Sequence, residues 1–101
     1  MTDQAWQNSF HTAIRVSAAA AMGCAIAWRD DFRADIARIA VPVLILQGDQ
    51  DRVMPLDATG RRLATMLADA RLVVIPEGPH AIRWTHAAEV NELLLSFLRS
   101  L

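Results

Sequence analysis

An α/β fold is predicted for this chain of 101 residues, with parallel strands in a strand–helix–strand–helix unit that follows a helical first portion. Three observations carry the prediction. Two short aliphatic runs, residues 42–47 and 71–76, lack the polar–apolar alternation of a half-exposed antiparallel strand and read as strands covered on both faces. The stretch between them has apolar residues at helical spacing, and so has the last stretch of the chain. Strand and helix alternating at these lengths is the pattern of a parallel sheet with helices laid against it.

The first element is expected from about Phe10 to Trp28, where Ala, Ile, Val and Met occur at a density compatible with a helix and Gly23 is the weak point. Arg29-Asp30-Asp31-Phe32-Arg33 is a charged break. After it, Phe32, Ile36 and Ile39 recur every three or four residues and predict one or two further helical turns. Val41 to Gln47 is rich in β-branched residues and punctuated by Pro42 and Gly48, as a buried strand would be. From Leu56 to Leu67, the residues Leu56, Leu63, Ala64, Met66 and Leu67 sit among Asp57, Arg61 and Arg62. That mixture predicts an amphipathic helix with Asp57 favouring its N-terminus. Arg71 to Pro76 repeats the strand signature, and Glu77-Gly78-Pro79-His80 repeats the punctuation after it. Strand, helix and strand make a βαβ unit whose crossover is expected to be right-handed. Ala87 to Leu98 places Val90, Leu93, Leu94, Phe97 and Leu98 on one stripe with Glu89 and Glu92 opposite, which predicts a final helix.

Composition narrows the function classes. One domain is expected over residues 1–101, made of a helical segment at 1–40 and a strand-bearing segment at 41–101. Hydrophobic residues reach 53%, above the usual share for soluble domains, which leaves apolar surface free for contacts. A net charge of −1 from 10 basic and 11 acidic residues gives no electrostatic footprint for nucleic acid or anionic membrane, and neither partner is expected. The longest uncharged run, Val16 to Trp28, falls short of the ~20 apolar residues that span a bilayer. The single Cys24 has no internal disulfide partner and no secretory leader pattern is visible, so a cytoplasmic location is the expectation.

Chemistry is expected outside the carboxyl ends of the two strands, where the functional groups of open α/β sheets collect. Gly48-Asp49-Gln50-Asp51 follows the first strand and Gly78-Pro79-His80 follows the second. An acid and a histidine remote in sequence are thereby brought toward one rim. A carboxylate that accepts the Nδ1 hydrogen fixes the tautomer of the imidazole and stabilises the imidazolium, leaving Nε2 to take a proton from a hydroxyl nucleophile. Asp51 would orient the ring and His80 would act as base. Taken singly, the first motif also reads as an acid-rich turn capping the next helix, and the second as a plain loop histidine. A nucleophile is missing, because no Gly-x-Ser-x-Gly occurs and Ser9, Ser17, Ser96 and Ser100 lie in helical or terminal contexts.

These residues carry a resemblance to a known family. Asp31-Phe32-Arg33-x-Asp35, Val41-Pro42-Val43-Leu44-Ile45, Gly48-Asp49-x-Asp51, Pro55, Thr59-Gly60, Pro79-His80, Thr85-His86-Ala87, Asn91, Leu93-Leu94 and Phe97-Leu98 together resemble the C-terminal portion of the cofactor-free haloperoxidases, the perhydrolase and arylesterase group of α/β-hydrolases. The likeness covers roughly residues 15 to 101 and is strongest from about Asp31 onward. It implies the C-terminal part of an α/β-hydrolase fold, with Asp51 rather than Asp49 as the triad acid, His80 as the triad histidine, and Asp49 as a loop-shaping neighbour. It also implies acyl transfer on a small ester or carboxylic acid, with no cofactor and no metal. Family members are longer, and their first part supplies the early strands, the oxyanion-hole donors and the nucleophilic serine. This chain is therefore expected to be inactive alone and to need a complementary N-terminal hydrolase segment; a non-catalytic, self-associating relic is the other reading. Where family members often follow the histidine with Gly and a bulky residue, this chain has Ala81-Ile82.

The remaining candidates have structural readings. His11 and His86 are expected at helix ends or on the surface, and Cys24 and Trp84 in packing. A metal site from Asp49, Asp51, His80 and His86 is not expected, since no short ligand spacing of the zinc type appears. Two parallel strands make a poor sheet by themselves, and the first would leave an unpaired edge. Self-association or docking of a complementary segment is the expected remedy.

Overall fold

A computed structural model describes residues 2–101. The elements run α1 (Asp3–Ile14), α2 (Ala18–Ala27), α3 (Arg33–Ile36), β1 (Val43–Gly48), α4 (Gly60–Met66), β2 (Ala70–Ile75), α5 (Ile82–Thr85) and α6 (Ala87–Ser100). They form two compact units that divide between Phe32 and Arg33.

The first unit holds two helices where one was expected over 10–28. Ser17 makes the break: its backbone is extended and its hydroxyl accepts the Ala20 N–H at 3.1 Å, so it caps a new helix instead of continuing the old one. The two helices meet at an angle of 97°. α1 starts well before Phe10 because Thr2 accepts the Ala5 N–H at 3.2 Å and Asp3 stands in the first turn, where its charge suits the helix dipole. One turn apart on α1, Trp6 and Phe10 stack with ring centroids 5.3 Å apart.

In the second unit β1 and β2 pair in parallel, in register from Val43 opposite Ala70 to Gly48 opposite Ile75. The α/β class and the β-α-β-α order are those expected. Each strand lies within a residue of its predicted place, and proline explains both boundaries: Pro42 and Pro76 have no N–H to give a ladder, so β1 begins after one and β2 ends before the other. Neighbouring residues of a strand point to opposite faces, yet Val43 to Leu46 and Leu72 to Val74 are all half-buried, so both faces are partly covered. α4 packs on both strands, and α6 packs on β1 and α5. Ile75 is completely buried, with Leu56 and Leu67 nearly so.

α4 is shorter than the helix expected from Leu56. The chain turns first, with the N–H groups of Ala58 and Thr59 both donating to the Pro55 carbonyl at 3.1 and 3.0 Å, and the helix begins only at Gly60. Asp57 consequently lies outside it and pairs with Arg61 at 2.7 Å across the surface. Among the described residues, β1 has β2 as its one strand partner, so its other edge is unpaired.

Candidate active site

Two glycines bring the loops after β1 and β2 together. Gly48 and Gly78 are both buried. A Cβ on Gly48 would overlap the Gly78 carbonyl, and one on Gly78 would lie 2.9 Å from the Cα of Gly48, the carbonyl of Ile75 and Cγ2 of Ile82. Without side chains there, the backbones approach closely enough for the Gln50 N–H to donate to Gly78 O at 3.0 Å and the Asp49 N–H to Ile75 O at 3.2 Å. The second loop turns through Ile75-Pro76-Glu77-Gly78, closed by the Gly78 N–H on Ile75 O at 3.1 Å. Pro76 at the second position and a left-handed Glu77, φ 58°, at the third match the requirements of a type II turn.

This backbone clamp sets the separation across which the acid and the histidine meet. Oδ1 of Asp51 accepts the N–H groups of Val53 and Met54 at 3.0 and 2.8 Å, while Oδ2 faces Nδ1 of His80 at 2.9 Å. One carboxylate oxygen is held by the loop and the other is presented to the ring. The Asp51 side chain is 6% exposed and that of His80 47%. Loss of water around Asp51 raises its carboxyl pKa. The Met54 N–H, the His80 ring, the Val53 N–H and the imidazolium charge together outweigh that effect and hold it below the ordinary 3.8. A carboxylate at Nδ1 keeps the ring proton on that atom and leaves the Nε2 lone pair to accept another. Nε2 has no hydrogen-bond partner among the described residues.

Both side chains line a cleft of about 470 Å³, together with Ile45, Leu46, Gln47, Gly48, Met54, Thr59, Gly60, Leu63, Ile82 and Arg83. Four consecutive residues of β1 contribute and none of β2 does, so the cleft follows the unpaired edge of β1. The acid and base expected from the sequence thus share one rim and one cleft.

The other candidates lie elsewhere. Asp49 is exposed and holds the loop through its backbone N–H rather than its carboxylate. His86 precedes α6 with Nδ1 2.8 Å from Thr85 Oγ1, His11 stands in the last turn of α1, and Cys24 is exposed on α2. Trp84, on α5, is exposed rather than packed away. Ser9 lies in α1, Ser17 caps α2, and Ser96 and Ser100 lie in α6, so none stands on a strand-to-helix turn. Sequence reasoning missed Gln47, whose buried amide donates to Met54 O at 2.6 Å and to Thr59 Oγ1 at 2.9 Å. Its one signal was a polar residue ending an aliphatic run.

Comparison with known proteins identifies the family of the chain. The alpha/beta hydrolase fold family matches residues 1–87. A Synechocystis protein with the provisional name non-heme chloroperoxidase is 46% identical over 99 residues, covering 98% of this chain and 36% of that protein. The bifunctional esterase/perhydrolase DCH of Acinetobacter calcoaceticus is 39% identical over 70 residues, covering 69% of this chain and 25% of its own length. Among solved structures, the esterase EaEST from Exiguobacterium antarcticum matches with a TM-score of 0.84 at 28% identity, over 98% of this chain and 37% of that one. The chain therefore spans between a quarter and somewhat over a third of these relatives. With the family match running from α1 through both strands and the loops that carry Asp51 and His80, the chain belongs to the alpha/beta hydrolase fold family, with the architecture of a C-terminal part and its kinship among the esterases and non-heme haloperoxidases.

Proposed function

We propose that this chain supplies the acid and the base of a serine hydrolase, with the nucleophilic serine and the oxyanion-hole donors coming from another segment. The observation that carries the reading is the 2.9 Å approach of Asp51 Oδ2 to His80 Nδ1, with Nε2 left free beside the cleft. In such a site the serine proton passes to His80 Nε2 as Oγ bonds to the acyl carbon, and Asp51 stabilises the imidazolium. Nε2 then returns the proton to the leaving oxygen as its bond to the acyl carbon breaks. Water resolves the acyl-enzyme to the acid, and hydrogen peroxide resolves it to a peracid, which oxidises halide away from the protein. Small esters and carboxylic acids are the substrate class, in keeping with the esterase, perhydrolase and chloroperoxidase names of the relatives. No metal or cofactor takes part in this reading, and the chain alone is expected to be silent because none of its serines is placed on a nucleophile turn.

The experiment is an assay with a chromogenic acetate ester on the chain, on the serine-bearing N-terminal part of a longer relative, and on their mixture. Turnover by the mixture alone, abolished by His80→Ala, supports the proposal. A mixture that forms a complex yet stays silent removes it. Exposed apolar side chains such as Trp6, Phe10, Trp28 and Leu98, together with the unpaired β1 edge, favour a second reading in which the chain is a self-associating hydrolase relic. Sedimentation showing dimers or larger assemblies, combined with silence in every mixture, is the outcome that selects it.

A further inference from the structure

Asp51 is held through Oδ1 while Oδ2 faces His80, and the groups that hold it belong to an exposed loop. The Val53 and Met54 N–H groups lie outside any helix or strand ladder. Something beyond the loop has to fix Met54. Gln47 does so from the end of β1, where it is only 9% exposed. One hydrogen of its amide goes to Met54 O at 2.6 Å and the other to Thr59 Oγ1 at 2.9 Å, and the Thr59 hydroxyl donates in turn to Pro55 O at 2.8 Å. Both donors are spent on the segment that carries the acid. The space for this amide exists because residue 60 is glycine: a Cβ there would overlap Gln47 Oε1. Strand β1, the Gln47 amide, Met54, the Asp51 carboxylate and the His80 ring form one continuous hydrogen-bonded line.

We propose that Gln47 is a positioning residue for the acid: its buried amide ties Met54 to β1, so that the Met54 N–H holds Oδ1 and turns Oδ2 toward His80 Nδ1. The proposal rests on the reading of Asp51 and His80 as acid and base. Gln47 touches no reacting atom and acts through the Met54 backbone. Its effect is on which ring nitrogen of His80 carries the proton, because a hydrogen bond at one nitrogen decides the state of the other.

The test reads the His80 tautomer by nitrogen NMR on the full chain with labelled histidine, at an alkaline pH where imidazole is neutral. His80→Gln identifies the signals. Wild type is expected to show the proton on Nδ1, and Asp51→Asn, which puts the imidazole in the wrong tautomer, sets the reading for a broken pair. Gln47→Met keeps length and burial but removes both donors. It is expected to lose most of the Nδ1–H signal and approach the Asp51→Asn spectrum while its circular dichroism stays that of wild type. Thr59→Val is expected to move the same way, and Thr59→Ser, which restores the hydroxyl, to stay with wild type. Should Gln47→Met not fold, Gln47→Leu, which also lacks both donors, decides. A folded chain of either kind with its Nδ1–H signal intact overturns the inference and leaves the acid–histidine pair standing. If Asp51→Asn itself leaves the tautomer unchanged, the acid–base reading falls first and the positioning role goes with it.

Discussion

Replacing Gly48 by alanine tests whether the loops that follow β1 and β2 are joined backbone to backbone. The added Cβ would stand 2.8 Å from the α-carbon of Gly78 and closer still to its carbonyl, against an ordinary van der Waals separation of 3.4 Å or more. Clearing the α-carbon alone, from 2.8 to 3.4 Å, parts the loops by about 0.6 Å, and the carbonyl demands more. Every atom in the way is backbone, so no side chain can swing aside. The same parting stretches the Gln50–Gly78 bond from 3.0 Å and the Asp51–His80 pair from 2.9 Å to about 3.5 Å, where hydrogen bonds are weak. Overpacking of this sort costs about 1–3 kcal/mol and a loosened backbone hydrogen bond about 1 kcal/mol. The expected loss is therefore about 2–4 kcal/mol. Urea denaturation followed by tryptophan fluorescence measures it as a lower midpoint at unchanged slope. Gly23→Ala is the control, since nothing lies within 4 Å of a Cβ there, and a helix interior gains up to about 1 kcal/mol from the change. A Gly48→Ala chain that unfolds with wild type would refute the clamp.

Three further outcomes follow from named interactions. Because the Asp51 carboxyl is held below 3.8, its stabilising contribution is complete above that value and is lost as pH falls below it through the folded-state pKa. Asp51→Asn should then lose stability less steeply than wild type as pH falls below about 4; matching slopes in acid denaturation contradict the assignment. Glu77→Gly relieves a left-handed residue at the type II turn and is expected to stabilise by about 0.5–1 kcal/mol after the entropy cost of glycine in the unfolded chain, read as a higher melting temperature. Ile75→Ala empties a fully buried position beside the loops and is expected to cost about 2–4 kcal/mol in the same denaturation assay.

What was legible in the sequence depended on how local its cause is. The two strands could be read because burial on both faces makes Val43 to Leu46 and Leu72 to Ile75 continuously apolar, and because prolines mark their limits. Asp51 and His80 were legible because parallel strands deliver the loops at their carboxyl ends to one rim. The break at Ser17 was hidden inside an alanine-rich run whose helical signal continues on both sides, and only the hydroxyl's bond to Ala20 reveals it. The start of α4 was misplaced because Pro55 gathers the next N–H groups into turns, a matter of hydrogen-bond choice that periodicity does not record. Gln47 escaped notice for a different reason. Its partners, Met54 and Thr59, lie 7 and 12 residues away, and the gap at Gly60 that admits its amide appears only once α4 is laid against β1.

The most direct measurement of the central claim is the rate at which a fluorophosphonate labels the serine of a serine-bearing hydrolase segment mixed with this chain, since a serine reacts fast only when a base takes its proton. The expected result is labelling that depends on this chain, disappears with His80→Ala and falls steeply with Asp51→Asn. Labelling at an equal rate with His80→Ala would contradict the account.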